Sequence, residues 1–218
     1  MKKINYETEE KKKIRDGVYL VADPSMKEDL LLEKLNSALQ GPVSALQIWD
    51  HFSQDQDVFD ISEKISVLAE KKNVPVLINN RVDILQNTML SGIHFDVIPK
   101  SFDGIRDQIG RPFISGLTCN NDLASVRWAA RHGMDYISFC SVFPSMTSNS
   151  CELVDFEIIR EARRIFSGSI FLSGGINTNN IEKLDSLDYD GVAIVSGIMS
   201  ADQPGAAVEN YLNKMKFR

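Results

Sequence analysis

The 218-residue chain is poor in histidine and cysteine, with three of each. Cys119, Cys140 and Cys151 are widely spaced, odd in number and match no zinc or redox motif. Reduced thiols in a cytoplasmic protein are therefore expected. No apolar run reaches the ~18 residues that mark a membrane-spanning helix, and the first stretch, MKKINYETEEKKKIRD, has no apolar segment of the kind a secretory signal needs. Positive charge is not in excess either. Lys and Arg number 24 against 30 Asp and Glu, a net charge of −6, which argues against bulk binding to nucleic acid or to an anionic membrane. Any anionic ligand must be held by a local site. No linker-like or low-complexity stretch interrupts the chain after residue 16.

What is present is a regular alternation. Residues 1–16 read as a charged, helical N-terminal extension, and residues 17–218 as a single domain of eight strand–helix pairs. GVYLVAD (17–23), VSALQIWD (43–50), VPVLIN (74–79), GIHFD (92–96), FISGLTC (113–119), DYISFCSVF (135–143), SIFLSGG (169–175) and YDGVAIVSGI (189–198) are the apolar runs. Between them lie stretches with apolar spacing of three and four, such as DVFDISEKISVLAEKKN (57–73). NNIEKLDSL (179–187) is the helix expected after the seventh strand. Continuous apolar strands alternating with helices predict a parallel sheet covered by helices. Eight units in about 200 residues fit a (β/α)8 TIM barrel. A doubly wound open sheet is disfavoured because no G-x-G-x-x-G follows the first strand.

In such a barrel the chemistry lies at the C-terminal ends of the strands. Gln47, Trp49 and His51; Asn79 and Asn80; Asp96; Thr118 and Cys119; Gly174 and Gly175; and Val195 and Ser196 fall there. The loop after strand 6 adds Ser145 and Thr147. The glycine pair 174–175 and Ser196-Gly197 have the composition of a phosphate cradle, since glycines let backbone N–H groups approach an anion. Among the histidines, His51 lies just past strand 2 and is a residue type suited to proton transfer. His94, inside strand 4, reads as a packed histidine of the barrel interior, and Cys119 as a buried, inert thiol.

The segments VYLVADPS, ALQIWDHF, VPVLINNRVDIL, SGIHFD, FISGLT, DYISFCSVFPSMT, FLSGGI and DGVAIVSGI stand in the order of the thiamine-phosphate synthase family. The chain resembles that family from about Val18 to Ile198, and it also resembles the related thiazole tautomerases. The resemblance implies a transferase of thiamine biosynthesis that joins hydroxymethylpyrimidine diphosphate to thiazole phosphate, with Mg²⁺, giving thiamine phosphate and pyrophosphate. It implies a phosphate-ester ligand, no nucleic-acid or membrane partner, and leaves room for a homo-oligomer. By the same resemblance, Gln47, Asn79, Asn80, Gly174, Gly175, Val195 and Ser196 are the substrate-binding positions, and His51, Thr118, Ser145 and Thr147 the catalytic candidates. The family's Arg and Lys of strand 2 are replaced by Trp49 and His51, its metal Asp after strand 3 by Asn80, and its second metal Asp falls near Pro99. The carboxylate ligands of Mg²⁺ are thus absent. Each lost charged group costs about 2–4 kcal/mol of transition-state stabilisation, on the scale of one oxyanion donor. A tautomerase-like enzyme and a non-catalytic phosphate-ligand barrel are the alternatives.

Overall fold

The computed structural model describes residues 11–144 and 152–216. Eight parallel strands close into a barrel in chain order, β1 to β8. They are β1 Gly17–Ala22, β2 Val43–Ile48, β3 Val76–Asn79, β4 Gly92–Phe95, β5 Ile114–Thr118, β6 Tyr136–Cys140, β7 Ser169–Ser173 and β8 Gly191–Ile194. The barrel closes where Val18 and Leu20 of β1 pair with Val192 and Ile194 of β8. The (β/α)8 class expected from the alternation is the fold observed.

Strand alternation divides the side chains between two cores. Val18, Leu20 and Ala22 of β1 face outward into the large cluster shared with the helices. Tyr19, Ala45, Leu77, Ile114, Tyr136 and Phe171 face inward and fill the barrel. Period-two alternation in a closed sheet makes this separation unavoidable. Ile14, ahead of β1, packs against the inner cluster, and Lys11 pairs with Asp135 at 2.6 Å. The described part of the N-terminal extension, residues 11–15, is therefore irregular chain against the bottom of the barrel, not helix.

Outside the sheet run α1 Glu28–Ala38, α2 Val58–Glu70, α3 Val82–Asn87, α4 Phe102–Ile109, α5 Leu123–Arg131 and α6 Phe156–Ile165, with α7 Ser196–Met199 and α8 Pro204–Lys214 after β8. Three starts are capped by carboxylates: Asp57, Asp122 and Asp155 accept from backbone N–H groups of the first turn.

Two further expectations are corrected. The stretch 179–187 holds only a four-residue 3₁₀ turn, Ile181–Leu184. Asn177 and Asn180 divert the backbone there: Asn177 N–H donates to Asn180 Oδ1, Asn179 N–H to Asn177 Oδ1, and Asn180 Nδ2 to the Gly175 carbonyl. Such local side-chain bonds compete with helix. The eighth apolar run also stops early. Val195 leaves the extended region at φ −108°, ψ −91°, and Ser196 begins α7.

Candidate active site

The inward residues near the strand C-termini surround a cavity of about 660 Å³, within the range of small-molecule sites. Of the sequence-expected positions, Gln47, Asn79, Thr118, Gly174, Gly175, Val195 and Ser196 line it. Asn80 and His51, both exposed, stand outside the lining, His51 Nδ1 at 3.0 Å from Asp23 Oδ1. Burial alone would raise the Asp23 carboxyl, but hydrogen bonds from Ser25 and His51 hold it below the ordinary value. Ser145 and Thr147 lie outside the described residues.

On the β7–β8 side, Gly174 and Gly175 have φ of 84° and 67°. A Cβ on Gly174 would stand 2.3 Å from Ser141 Oγ, and one on Gly175 2.3 Å from the Pro144 carbonyl oxygen. Only glycine fits this turn, whose backbone lines the cavity. Facing it, α7 starts at Ser196, and the first N–H groups of a helix have no intrahelical acceptor.

Across the barrel floor runs a continuous polar chain. Tyr19 Oη donates to Gln47 Oε1 at 2.8 Å and lies 2.8 Å from Tyr136 Oη. His94 Nδ1 is 2.8 Å from Tyr136 Oη, and its Nε2 is 2.9 Å from Thr118 Oγ1, which is 3.1 Å from Ser138 Oγ. Each hydroxyl has one proton, so the chain has one sense. Tyr19 gives its proton to Gln47, Tyr136 then gives to Tyr19, and His94 Nδ1–H gives to Tyr136. His94 Nε2 is left to accept from Thr118, and Thr118 accepts from Ser138. This order needs a neutral imidazole. Burial supplies it, pulling the His94 pKa down to about 4 against the opposing pull of Asp96. His94 is thus more than the packed interior histidine expected from its strand. Tyr19, Tyr136 and Ser138 were not among the expected site residues. Inward register on alternate positions of β1 and β6, the face that Gln47 occupies on β2, is the signal that marks them.

Cys119 is buried, and burial, with Asp122 adding to it, pushes its thiol up to about 12. It is no nucleophile or proton carrier at neutral pH.

The β2–β4 side is governed by Asp96. Asn79 Nδ2 donates to its Oδ1 at 2.9 Å and Asn80 Nδ2 to its Oδ2 at 2.7 Å. The amides cannot turn their oxygens inward without loss: Asn80 Oδ1 accepts from Asp96 N–H at 3.0 Å and Asn79 Oδ1 from Asp50 N–H at 3.4 Å. A Mg²⁺ site needs several oxygen ligands, usually with more than one carboxylate or a phosphate partner. Here one carboxylate is held by two N–H donors, and no group of three His, Cys, Asp or Glu residues that could hold a metal occurs among the described residues. The residues do not fit the ion. Nor does any Lys or Arg line the cavity among the described residues.

A closed parallel barrel with a polar cavity at its C-terminal mouth and a glycine turn after β7 defines the class: a (β/α)8 barrel built for small ligands at the strand ends. The thiamine monophosphate synthase family model matches residues 18–198, and the chain belongs to that family. It is 30% identical over 193 residues to a thiamine-phosphate synthase of Clostridium tetani, covering 88% of this chain and 92% of the relative. A thiamine-phosphate synthase of Methanobrevibacter smithii is 29% identical, with 93% and 96% covered. Among solved structures, a thiamine phosphate pyrophosphorylase from Pyrococcus furiosus superposes with a TM-score of 0.78 at 21% identity, covering 91% of this chain and 94% of that one. An orotidine 5′-phosphate decarboxylase from Pyrococcus horikoshii shares the fold, with a TM-score of 0.67 at 11% identity over 90% of this chain and 98% of that one.

Proposed function

We propose that this protein acts as a thiamine-phosphate synthase-type barrel, joining hydroxymethylpyrimidine diphosphate to thiazole phosphate to give thiamine phosphate and pyrophosphate. Family membership across 18–198 supports the reaction class. The observation that carries the reading is the phosphate-ester end: the positive-φ pair Gly174-Gly175 faces the start of α7 across one cavity. Backbone N–H groups bind an anion there without side-chain charge, so the replacements at strands 2 to 4 leave that end intact. Gln47, at one end of the buried polar chain, and Thr118, one residue short of the other, orient the pyrimidine. No described helix is long and apolar enough to cross a membrane, which supports a cytoplasmic location.

The test is to incubate the purified protein with both substrates and Mg²⁺ and to quantify thiamine phosphate against a heat-treated control. Product above the control is expected; its absence overturns the synthase reading. A second reading is favoured by one observation, the clamp of Asn79 and Asn80 on Asp96. In it the barrel holds thiazole phosphate or thiamine phosphate and performs no diphosphate departure. Calorimetry with thiazole phosphate separates the two, because binding without turnover supports the second reading alone.

A further inference from the structure

Gln47 lines the cavity and is 7% exposed, and among the described residues its Nε2 makes no hydrogen bond. Which atom of this amide meets a ligand is therefore decided on its other side, where Oε1 accepts from Tyr19 at 2.8 Å. Turned over, the amide would place Nε2 on Tyr19 and show the cavity an acceptor. Tyr19 does not settle this alone, because a hydroxyl both donates and accepts. Tyr19 and Tyr136 are 2% and 1% exposed, so each hydroxyl proton goes to a partner within the chain.

Two opposite senses of the chain would satisfy every group. With the His94 proton on Nδ1, His94 donates to Tyr136, Tyr136 to Tyr19 and Tyr19 to Gln47 Oε1, which leaves Nε2 for the ligand. With that proton on Nε2 each bond reverses, Tyr136 donates to Nδ1, and Gln47 shows the ligand its oxygen. The structure puts Oε1 on Tyr19 and so holds the first sense. Asp96 Oδ1 stands 3.9 Å from His94 Nε2, beyond hydrogen-bond reach, and claims no proton there.

We infer that His94, acting through Tyr136 and Tyr19, is a positioning residue that fixes Gln47 with its N–H donors toward the cavity. The site then selects a heteroaromatic edge carrying a bare ring nitrogen or a carbonyl oxygen, and rejects the same edge when it carries N–H. The inference rests on the reading that Gln47 orients the pyrimidine and deepens it, naming the atom that does so and the buried group that sets it.

Nitrogen NMR on the full chain with isotope-labelled histidine, at pH 7 and without ligand, tests the origin of the effect. The His94 signals are assigned by their loss in His94→Asn. Nδ1 is expected to carry the proton and Nε2 to resonate as a bare ring nitrogen. Tyr136→Phe keeps the ring but removes the acceptor of Nδ1–H, and should shift the proton toward Nε2. The consequence is read in steady-state kinetics of Tyr19→Phe, where the amide is free to turn. KM for hydroxymethylpyrimidine diphosphate should rise about tenfold, the scale of one hydrogen bond, with kcat changed less than twofold. A loss of folded protein would lower kcat and leave KM alone, so it does not imitate this split. A proton on Nε2 in the wild type, or an unchanged KM in Tyr19→Phe, would overturn the proposal. If the wild type makes no product, the synthase reading falls by itself, and the position of the His94 proton decides this one.

Discussion

Single residues in this barrel act through their register more than their type. His94 shows it: in sequence it is a histidine in an apolar strand, yet its inward position makes it the centre of a six-residue polar chain. Its folded pKa, about 4, lies below the ordinary histidine value of 6.5, so the unfolded chain binds its proton more readily. The stability this contributes is complete above pH 6.5 and is lost as pH falls toward 4, an effect of about 3 kcal/mol. Denaturant unfolding at pH 7 and pH 4 should show that extra loss in the wild type, and His94→Asn should flatten it. Cys119, expected as a buried thiol, is buried. Alkylation mapped by mass spectrometry at pH 8 should reach it only on unfolding, and labelling of the folded protein at Cys119 would contradict its burial.

Among the elements, the turn after β7 is the one whose geometry the residues dictate most tightly. Gly174→Ala forces a Cβ into the left-handed region and onto Ser141, at a cost of about 2–4 kcal/mol. It should also abolish phosphate-ester binding at concentrations where the variant is still folded. A drop in thermal midpoint with unchanged thiazole phosphate affinity would remove this turn from the site. Inside β5, Gly116 has a different reason: a Cβ there would lie 1.9 Å from Tyr136 Cζ. Gly116→Ala should push Tyr136 aside and break the polar chain, giving a larger loss of stability than an ordinary strand Gly→Ala change. Two other elements depart from their apolar pattern, each for its own reason. The 179–187 stretch has helical apolar spacing, but Asn177 and Asn180 spend their side chains on local backbone groups. The run 189–198 stays apolar past Ile194, and hydrophobicity alone does not reveal where the backbone turns.

At the scale of the whole molecule the two ends of the barrel have separate duties. The bottom is stapled by carboxylates: Asp135 Oδ2 accepts from Ser115 N–H at 2.7 Å, and Asp190 Oδ2 from Ile170 N–H at 2.7 Å while pairing with Arg163. The top carries the cavity. Asp190→Ala should therefore lower unfolding free energy by about 2–3 kcal/mol, the range for hydrogen bonds to a charged group. Ligand affinity measured on the folded variant should stay at the wild-type value. A parallel fall in affinity would show that the two ends are coupled through the strands.

By itself the sequence determined the barrel, its strand order and the strand ends that line the cavity, because eight alternating units leave few ways to bury a parallel sheet. It also determined that the charges for a metal-bound diphosphate are missing, since a replaced side chain is visible without coordinates. Only the tertiary structure decided what stands in their place. Tyr19, Tyr136, His94 and Thr118 are far apart in the chain and join only when the sheet closes and the inward register lines them up. Asp96 is held by Asn79 and Asn80, 17 and 16 residues away, whose amides are aimed by backbone groups that follow β2 and β4. Hydrophobic period is local and readable along the chain; the direction of a hydrogen bond is not.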